Sequence, residues 1–340
     1  MASREITVRS YQAGDEDGIL ELFNSVFAED DPGYAQRSRA HWEWEFLKNP
    51  AGTQVVLGVE SDGRIVAQYA CLPARVSLRG ENVCVGQGID SVVHHEYRRG
   101  LKREGAFLKT ARFYFEHYGV PEVNAFGYGF PNKKAYRIGV RMLQYVPIAA
   151  PVKTLARNLI NFRDDDEAAV GVDRSTSAQP IDRFDDRADA LWTSLEPELP
   201  MAIIRDQAYL NWRYIDCPSA EHSAFGLEDG AGGWRAIWTV RTNWMGPPIL
   251  AVSDYLGNPK DDGAVACMLE HVCAFARENG QQRVELWIPP TNPVYDAVIA
   301  RGFVAENSPF NLCIKIYDPT LDPAWARANW MYTIGDSDVF

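Results

Sequence analysis

Ile89-Asp-Ser-Val-Val-His-His-Glu-Tyr-Arg-Arg-Gly-Leu-Lys-Arg-Glu-Gly-Ala-Phe107 reads as a β-branched strand, a basic loop containing glycine, and the start of a helix. The helix continues over 105–118, where Phe107, Leu108, Ala111 and Phe115 keep the 3.6-residue spacing of a half-buried amphipathic helix. At such a junction successive backbone N–H groups converge, and the positive end of the helix dipole adds to them, so a pyrophosphate binds with little reorganisation. Arg98, Arg99, Lys102 and Arg103 lie in this loop although the chain as a whole carries a formal charge of −12. A solvated charge run is the plain alternative for them. Their place between a strand and a glycine-opened helix favours an anion cradle.

The surroundings of this segment occur twice. Trp44-Glu-Phe46-Leu-Lys-Asn-Pro50 and Trp212-Arg-Tyr214-Ile-Asp-Cys-Pro218 share one W-x-aromatic-x-x-x-P frame, 168 residues apart. A hairpin pattern follows each, over 55–69 around Ser-Asp-Gly and over 223–239 with a longer turn. Next come a strand ending in Asp90 or Asp254, a glycine-bearing loop and an amphipathic helix (105–118 and 263–279). A further strand (123–128 and 283–288) then leads to a second helix, opened near Asn132 or Asn292. The repeat predicts an α/β chain of the α+β mixed-sheet kind: two tandem domains, each a mostly antiparallel central sheet flanked by helices. The polar stretch 161–180 fits a connector. The expected division is therefore a domain over 1–150, a linker over 151–180, a domain over 181–318 and a tail over 319–340.

A length of 340 residues suits two domains that can each bury a core. With 46% hydrophobic and 24% charged residues, the disordered and fibrous classes are excluded. No stretch approaches the roughly 18 apolar residues of a membrane span, so no membrane partner is expected. The start lacks an apolar leader, and the six cysteines lack disulfide or metal spacing, which together predict a cytoplasmic protein with reduced thiols. Six scattered histidines give no metal site. The acidic balance argues against a nucleic-acid partner. Oligomeric state is not legible.

Val93-His94-His95-Glu96-Tyr97-Arg98-Arg99-Gly100, followed by Lys102-Arg103-Glu104-Gly105-Ala106-Phe107, resembles the acyl-CoA loop of the GNAT superfamily of N-acetyltransferases, V-H-P-x-Y-R-x-x-G and then [RQ]-x-x-G-x-[GA]. Lys102 replaces the usual Arg or Gln, Phe107 a small residue, and three residues are added after Arg99. Gly129-Phe-Pro-Asn132-Lys-Lys-Ala135-Tyr136 resembles the family's Asn-opened helix. The resemblance covers most of the first 150 residues. It implies acetyl-CoA as co-substrate, held by Val92, Val93, Arg98, Arg99, Gly100, Lys102, Arg103, Gly105, Ala106 and Asn132. The second copy departs, since Tyr255-Leu-Gly-Asn-Pro-Lys-Asp-Asp-Gly263 places Asp261 and Asp262 where a diphosphate would approach. Carboxylates there repel phosphate, which implies a kept fold with a lost cofactor site.

Acyl transfer from a thioester to an amine needs a neutral amine, a donor for the thioester oxygen and an acid for the thiolate. The resemblance implies a backbone N–H at Val92 or Val93 as that donor. Asp90 is the candidate base, directly or through water, against a purely structural strand-end Asp. Gln87 is the candidate to orient that water or the substrate. Tyr136, one turn before the position where the family often has its acid Tyr, is the candidate acid, against simple ring packing. His94 and His95 read as loop structure. The tail Trp330-Met-Tyr-Thr-Ile-Gly-Asp336-Ser-Asp338-Val-Phe340 reads as a packed terminus or as a flap offering carboxylates to an amine. The expected function is N-acetyl transfer to a primary amine of a small molecule, such as an amino sugar, amino acid or amine metabolite. The alternatives are a non-catalytic acyl-CoA binder and a tandem-domain aminoacyl or long-chain acyl transferase.

Overall fold

The computed structural model describes residues 5–31, 33–98, 105–131, 133–159, 178–246 and 248–338. By contact the chain divides into two units, each drawing on several stretches. Unit 1 holds Met1–Arg75, Val83–Gly129 and Ile314–Leu321, and unit 2 holds Val76–Asn82, Phe130–Cys313 and Asp322–Phe340.

The strands β1 (Ile6–Ser10), β2 (Gln54–Glu60), β3 (Ile65–Leu78), β4 (Glu81–Val93) and β5 (Phe126–Gly129), which belong to unit 1 except where β3 ends and β4 begins within Val76–Asn82, lie side by side in chain order. The β1–β2 and β2–β3 pairs are antiparallel, as the hairpin reading requires, while β4 and β5 run parallel through Gly86/Gly127 and Gln87/Tyr128. Alternation along the strands gives the sheet two apolar faces. One packs against α1 (Glu16–Asp30) and α2 (Arg39–Trp42), the latter continuing into a π turn, Glu43–Leu47, through Ile19, Phe23, Trp42 and Phe46. The other packs against α3 (Ala106–His117) through Ala111 and Tyr114. A Cβ at Gly86 would lie 2.5 Å from the Tyr114 hydroxyl, so this close approach of helix and strand requires glycine.

Unit 2 contains β6 (Val146–Ala149), β7 (Lys153–Asn158), β8 (Gln179–Ile181), β9 (Met201–Ile203), β10 (Ser223–Glu228), β11 (Trp234–Arg241), β12 (Ile249–Gly257), β13 (Arg283–Leu286) and β14 (Val304–Asn307). Its main sheet has the order β14-β7-β13-β12-β11-β10-β8, with β12 and β13 parallel and the other pairs antiparallel. Its helices are α4 (Lys133–Met142), α5 (Asp186–Leu195), α6 (Gln207–Leu210) leading into a π turn at Asn211–Ile215, α7 (Asp262–Glu278), α8 (Pro293–Ala300) and α9 (Pro323–Asn329).

Two features depart from the linear division read from sequence. Strand β7, inside the stretch 151–180 expected as linker, lies between β13 and β14, and β8 of the same stretch pairs with β10. Strand β15 (Leu312–Ile316), which follows the second repeat, is the neighbour of β5, and its Ile314–Ile316 belong to unit 1. Short strands whose partners lie far along the chain give no local signal of the sheet they join. The polar stretch 160–177 lies outside the described residues.

The repeat survives in local structure. Ser38 Oγ accepts from the His41 N–H at 3.2 Å to start α2, and Asp206 Oδ1 accepts from the Tyr209 N–H at 2.9 Å to start α6. Caps and both π turns keep the same 168-residue offset as the Trp frames. The tail ends in β16 (Trp330–Met331), which pairs parallel with β9, and a turn at Ile334–Asp336. Trp330, Tyr332, Thr333, Ile334, Asp336 and Ser337 are buried, so this part of the tail is packed chain, not an open flap.

Candidate active site

Strand β4 carries the candidate site because it breaks its own alternation. Asp90 has φ of 47°, a left-handed conformation that Asp tolerates better than most residues. Ile89 and Val92, three residues apart, both join the core on the α1/α2 face, which marks a bulge between them. Gln68 Nε2 donates to the Asp90 carbonyl at 3.0 Å and holds the bulge open. The Asp90 carboxylate is gripped by Arg37 Nη1, the same nitrogen that reaches Glu45 Oε2 at 3.1 Å. The guanidinium lies 4.1 Å from the centroid of the Phe23 ring, and His41 Nε2 is 3.5 Å from Glu45 Oε2. Burial opposes the Arg37 charge, but Asp90 and Glu45 outweigh it and raise its pKa. A carboxylate so paired is favoured as the anion and is a weak base.

Gln87, also on β4, is buried, and its Oε1 accepts from the Tyr128 hydroxyl on β5 at 3.2 Å. Its Nε2 has no partner among the described residues, leaving an oriented donor unspent. Strand β5 ends at Gly129, opposite the middle of β4, whereas β4 runs on past Val92 to Val93. Beyond it the chain is knitted tightly. The His94 N–H donates to the Val66 carbonyl at 2.9 Å, Tyr97 donates its hydroxyl proton to Glu60, and Arg98 Nε donates to the Val93 carbonyl at 2.9 Å. Burial, with Arg64 beside it, holds the His94 pKa below its ordinary value. Gly105 sits at the N-cap of α3 and offers no side chain to cap Ala106 and the N–H groups that follow. Arg99, Gly100, Lys102, Arg103 and Asn132 lie outside the described residues. Tyr136 is a partly buried residue of α4, in unit 2. Arg37, Glu45 and Gln68 were missed from sequence. Arg37 was within reach, because it precedes Trp44 by the same seven positions by which Arg205 precedes Trp212.

Residues 7–110 match the family model described as the acetyltransferase (GNAT) domain. Residues 7–110 thus carry a GNAT acetyltransferase domain. Acyl transfer is the chemistry that goes with it. The GNAT fold extends over nearly the whole chain in solved structures. A GCN5-related N-acetyltransferase from Kribbella flavida aligns with a TM-score of 0.64 at 15% identity, covering 92% of this chain and 73% of that one. A conserved protein of Enterococcus faecalis V583, described as a probable N-acyltransferase, gives 0.66 at 12%, covering 92% and 73%. Saccharomyces cerevisiae N-myristoyltransferase with bound myristoyl-CoA gives 0.60 at 12%, covering 95% and 81%. At these identities the likeness concerns the fold alone. No curated protein matches the sequence significantly.

The second GNAT-like copy uses the matching elements differently. Asp261 caps α7 itself, accepting from the Ala264 N–H at 3.0 Å and pairing with Arg235 Nη2 at 2.6 Å, while Asp262 pairs with Arg301 at 2.6 Å. The helix end that would meet a phosphate is thus already filled by a carboxylate. Asp254, the counterpart of Asp90, is bound by Arg205 Nε at 2.8 Å and by the Tyr214 hydroxyl at 2.7 Å. Arg205 also donates to Asp336 of the tail at 2.9 Å. Burial pushes the Asp336 carboxyl up to about 6 against the pull of Arg205. Beside Arg205, Tyr255, Asn292 and Met331 only a void of about 10 Å³ remains. A larger cavity in unit 2, of about 530 Å³, lies beside Tyr214, Cys217 and His222, on the β8–β10 edge. Among the described residues no helix is long and apolar enough to cross a membrane, and no group of three His, Cys, Asp or Glu is placed to hold a metal.

Proposed function

We propose that the first copy transfers an acyl group from acyl-CoA, acetyl-CoA in the simplest case, to a primary amine of a small molecule. The observation that carries the reading is the run from the bulged end of β4 into an α3 N-terminus with no side-chain cap, in the segment that matches the GNAT domain. Backbone N–H groups at Val92 or Val93 would polarise the thioester carbonyl, a role that needs no side chain. Amides at Gly105 and Ala106, with Arg98, Arg99, Lys102 and Arg103 from the preceding loop, would hold the diphosphate. Asp90, kept ionised by Arg37, is suited to orient the incoming ammonium and pass its proton to solvent. Gln87 Nε2 supplies a donor on the same strand.

The test is a thermal shift with coenzyme A combined with thiol release from acetyl-CoA and from myristoyl-CoA over a panel of primary amines. The reading expects a shift of several degrees with coenzyme A, thiol release with at least one donor, and loss of the shift in Arg99→Glu and Lys102→Glu. A shift without thiol release on any amine would instead support a pure acyl-CoA binder. An unchanged shift in both variants would reject this site.

A further inference from the structure

The cavity of about 530 Å³ in unit 2 lies between the turn that follows the second Trp frame and the β8–β10 edge. Its walls include Ile181, Ile215, Ala224 and Tyr214, together with Cys217 and His222. The Tyr214 and His222 rings meet edge to face, 5.3 Å between centroids. That volume is ample for a small metabolite.

The field beside this cavity is positive, in a chain of formal charge −12. The antiparallel register that pairs Ser223 with Val240 carries Arg241 to the place opposite His222. Arg241 acts electrostatically on both His222 and Cys217, two residues of the wall. It is half-buried, and burial holds its pKa below the ordinary value. Among the described residues its guanidinium makes no ion pair or hydrogen bond. A cation drawn partly out of water with no counter-charge is costly, and an anion bound beside it offsets that cost. Arg213, the other cation acting on His222, is already committed to the carbonyls of Gly335 and Ser337. Burial and the two arginines push the His222 pKa down to about 3, so the ring adds no charge of its own.

The first copy fills the matching place. His222 stands 168 residues after Gln54, whose register partner is Cys71. The Gln54 side chain is bound there by Tyr114 and Asn124 in a closed, neutral cluster. The shared fold therefore does not require a cation at this point.

We propose that this cavity binds a small organic monoanion, a carboxylate with an apolar body, whose charge pairs with Arg241 while its body lies against Tyr214, Ile181 and Ile215. A single negative charge is favoured because the exposed carboxylates of Asp182 and Glu221 also border the cavity, where they repel a doubly charged phosphate. The site stands independently of the acyl-transfer reading.

Cys217 is a partly exposed thiol in the wall, so its alkylation by N-ethylmaleimide, read by peptide mass spectrometry on the full chain, reports occupancy. Cys267 on α7 is also partly exposed and lies outside the wall, which makes it the internal control. The probes are butyrate, hexanoate and phenylacetate, each set against its neutral amide at equal ionic strength. At about 10 mM, at least one carboxylate should slow Cys217 alkylation about threefold or more while its amide does not, with Cys267 unchanged. Arg241→Gln should abolish this protection, and Arg241→Lys should keep part of it. Protection is a ratio within each variant, so a change in the thiol's own reactivity cancels. No protection by any carboxylate, equal protection by acid and amide, or protection kept in Arg241→Gln would overturn the proposal. Stronger protection by phenylphosphonate than by phenylacetate would overturn the choice of a monoanion.

Discussion

Replacing Arg205 by methionine should destabilise the protein by about 3–5 kcal/mol, the cost of breaking a fully buried ion pair by removing one partner. Arg205 is buried between Asp254 and Asp336, and methionine keeps much of its volume while leaving two carboxylates in the interior with no cation. The loss also frees the tail, because the Arg205 guanidinium ties Thr333 and Asp336, through Nη2, to Asp254 of β12, through Nε. The midpoint of urea unfolding reads the effect, and Arg39→Met is the control. Arg39 makes three ion pairs, to Glu16, Asp17 and Glu43, yet its side chain is about half exposed, so no measurable change is expected there. A smaller shift in Arg205→Met than in Arg39→Met would show that the buried cluster does not hold the second copy together.

On the proposed reading, Asp90→Asn should lower kcat/KM for thiol release by about 100-fold, the lower end of what a positioned acid or base contributes. The lower end is expected because Arg37 already weakens Asp90 as a proton acceptor. Asparagine keeps the size of the side chain and tolerates the left-handed backbone at this position, so the fold should persist. The variant should still show the thermal shift with coenzyme A, which separates lost chemistry from a lost site. An unchanged rate would assign Asp90 a structural role at the bulge.

The repeat, the hairpins and the helices were legible because they rest on local signals. The Trp frame, the alternation of β2 and β3 and the helical spacing of Phe107 to Phe115 each act within a few residues. What sequence did not disclose is non-local. The Arg37 to Asp90 contact joins an irregular segment before α2 to a bulge 53 positions on. The placement of β7 and β15 depends on hydrogen-bond partners far along the chain, not on any pattern within those strands. The tail illustrates the same point: its apolar and acidic residues were conspicuous, but Arg205, which fixes Asp336, carried no sign of that role. Asp261 and Asp262 were read as hostile to phosphate. Their structural reason is more specific, since Asp261 caps α7 and both are paired with arginines.

Hydrogen–deuterium exchange with and without coenzyme A tests the central claim most directly, because it reads backbone amides in both copies of one molecule. Binding should slow exchange at the end of β4 and the first turn of α3, and leave the first turn of α7 unchanged. Slowing at α7, or none at α3, would contradict the assignment of the working site to the first copy.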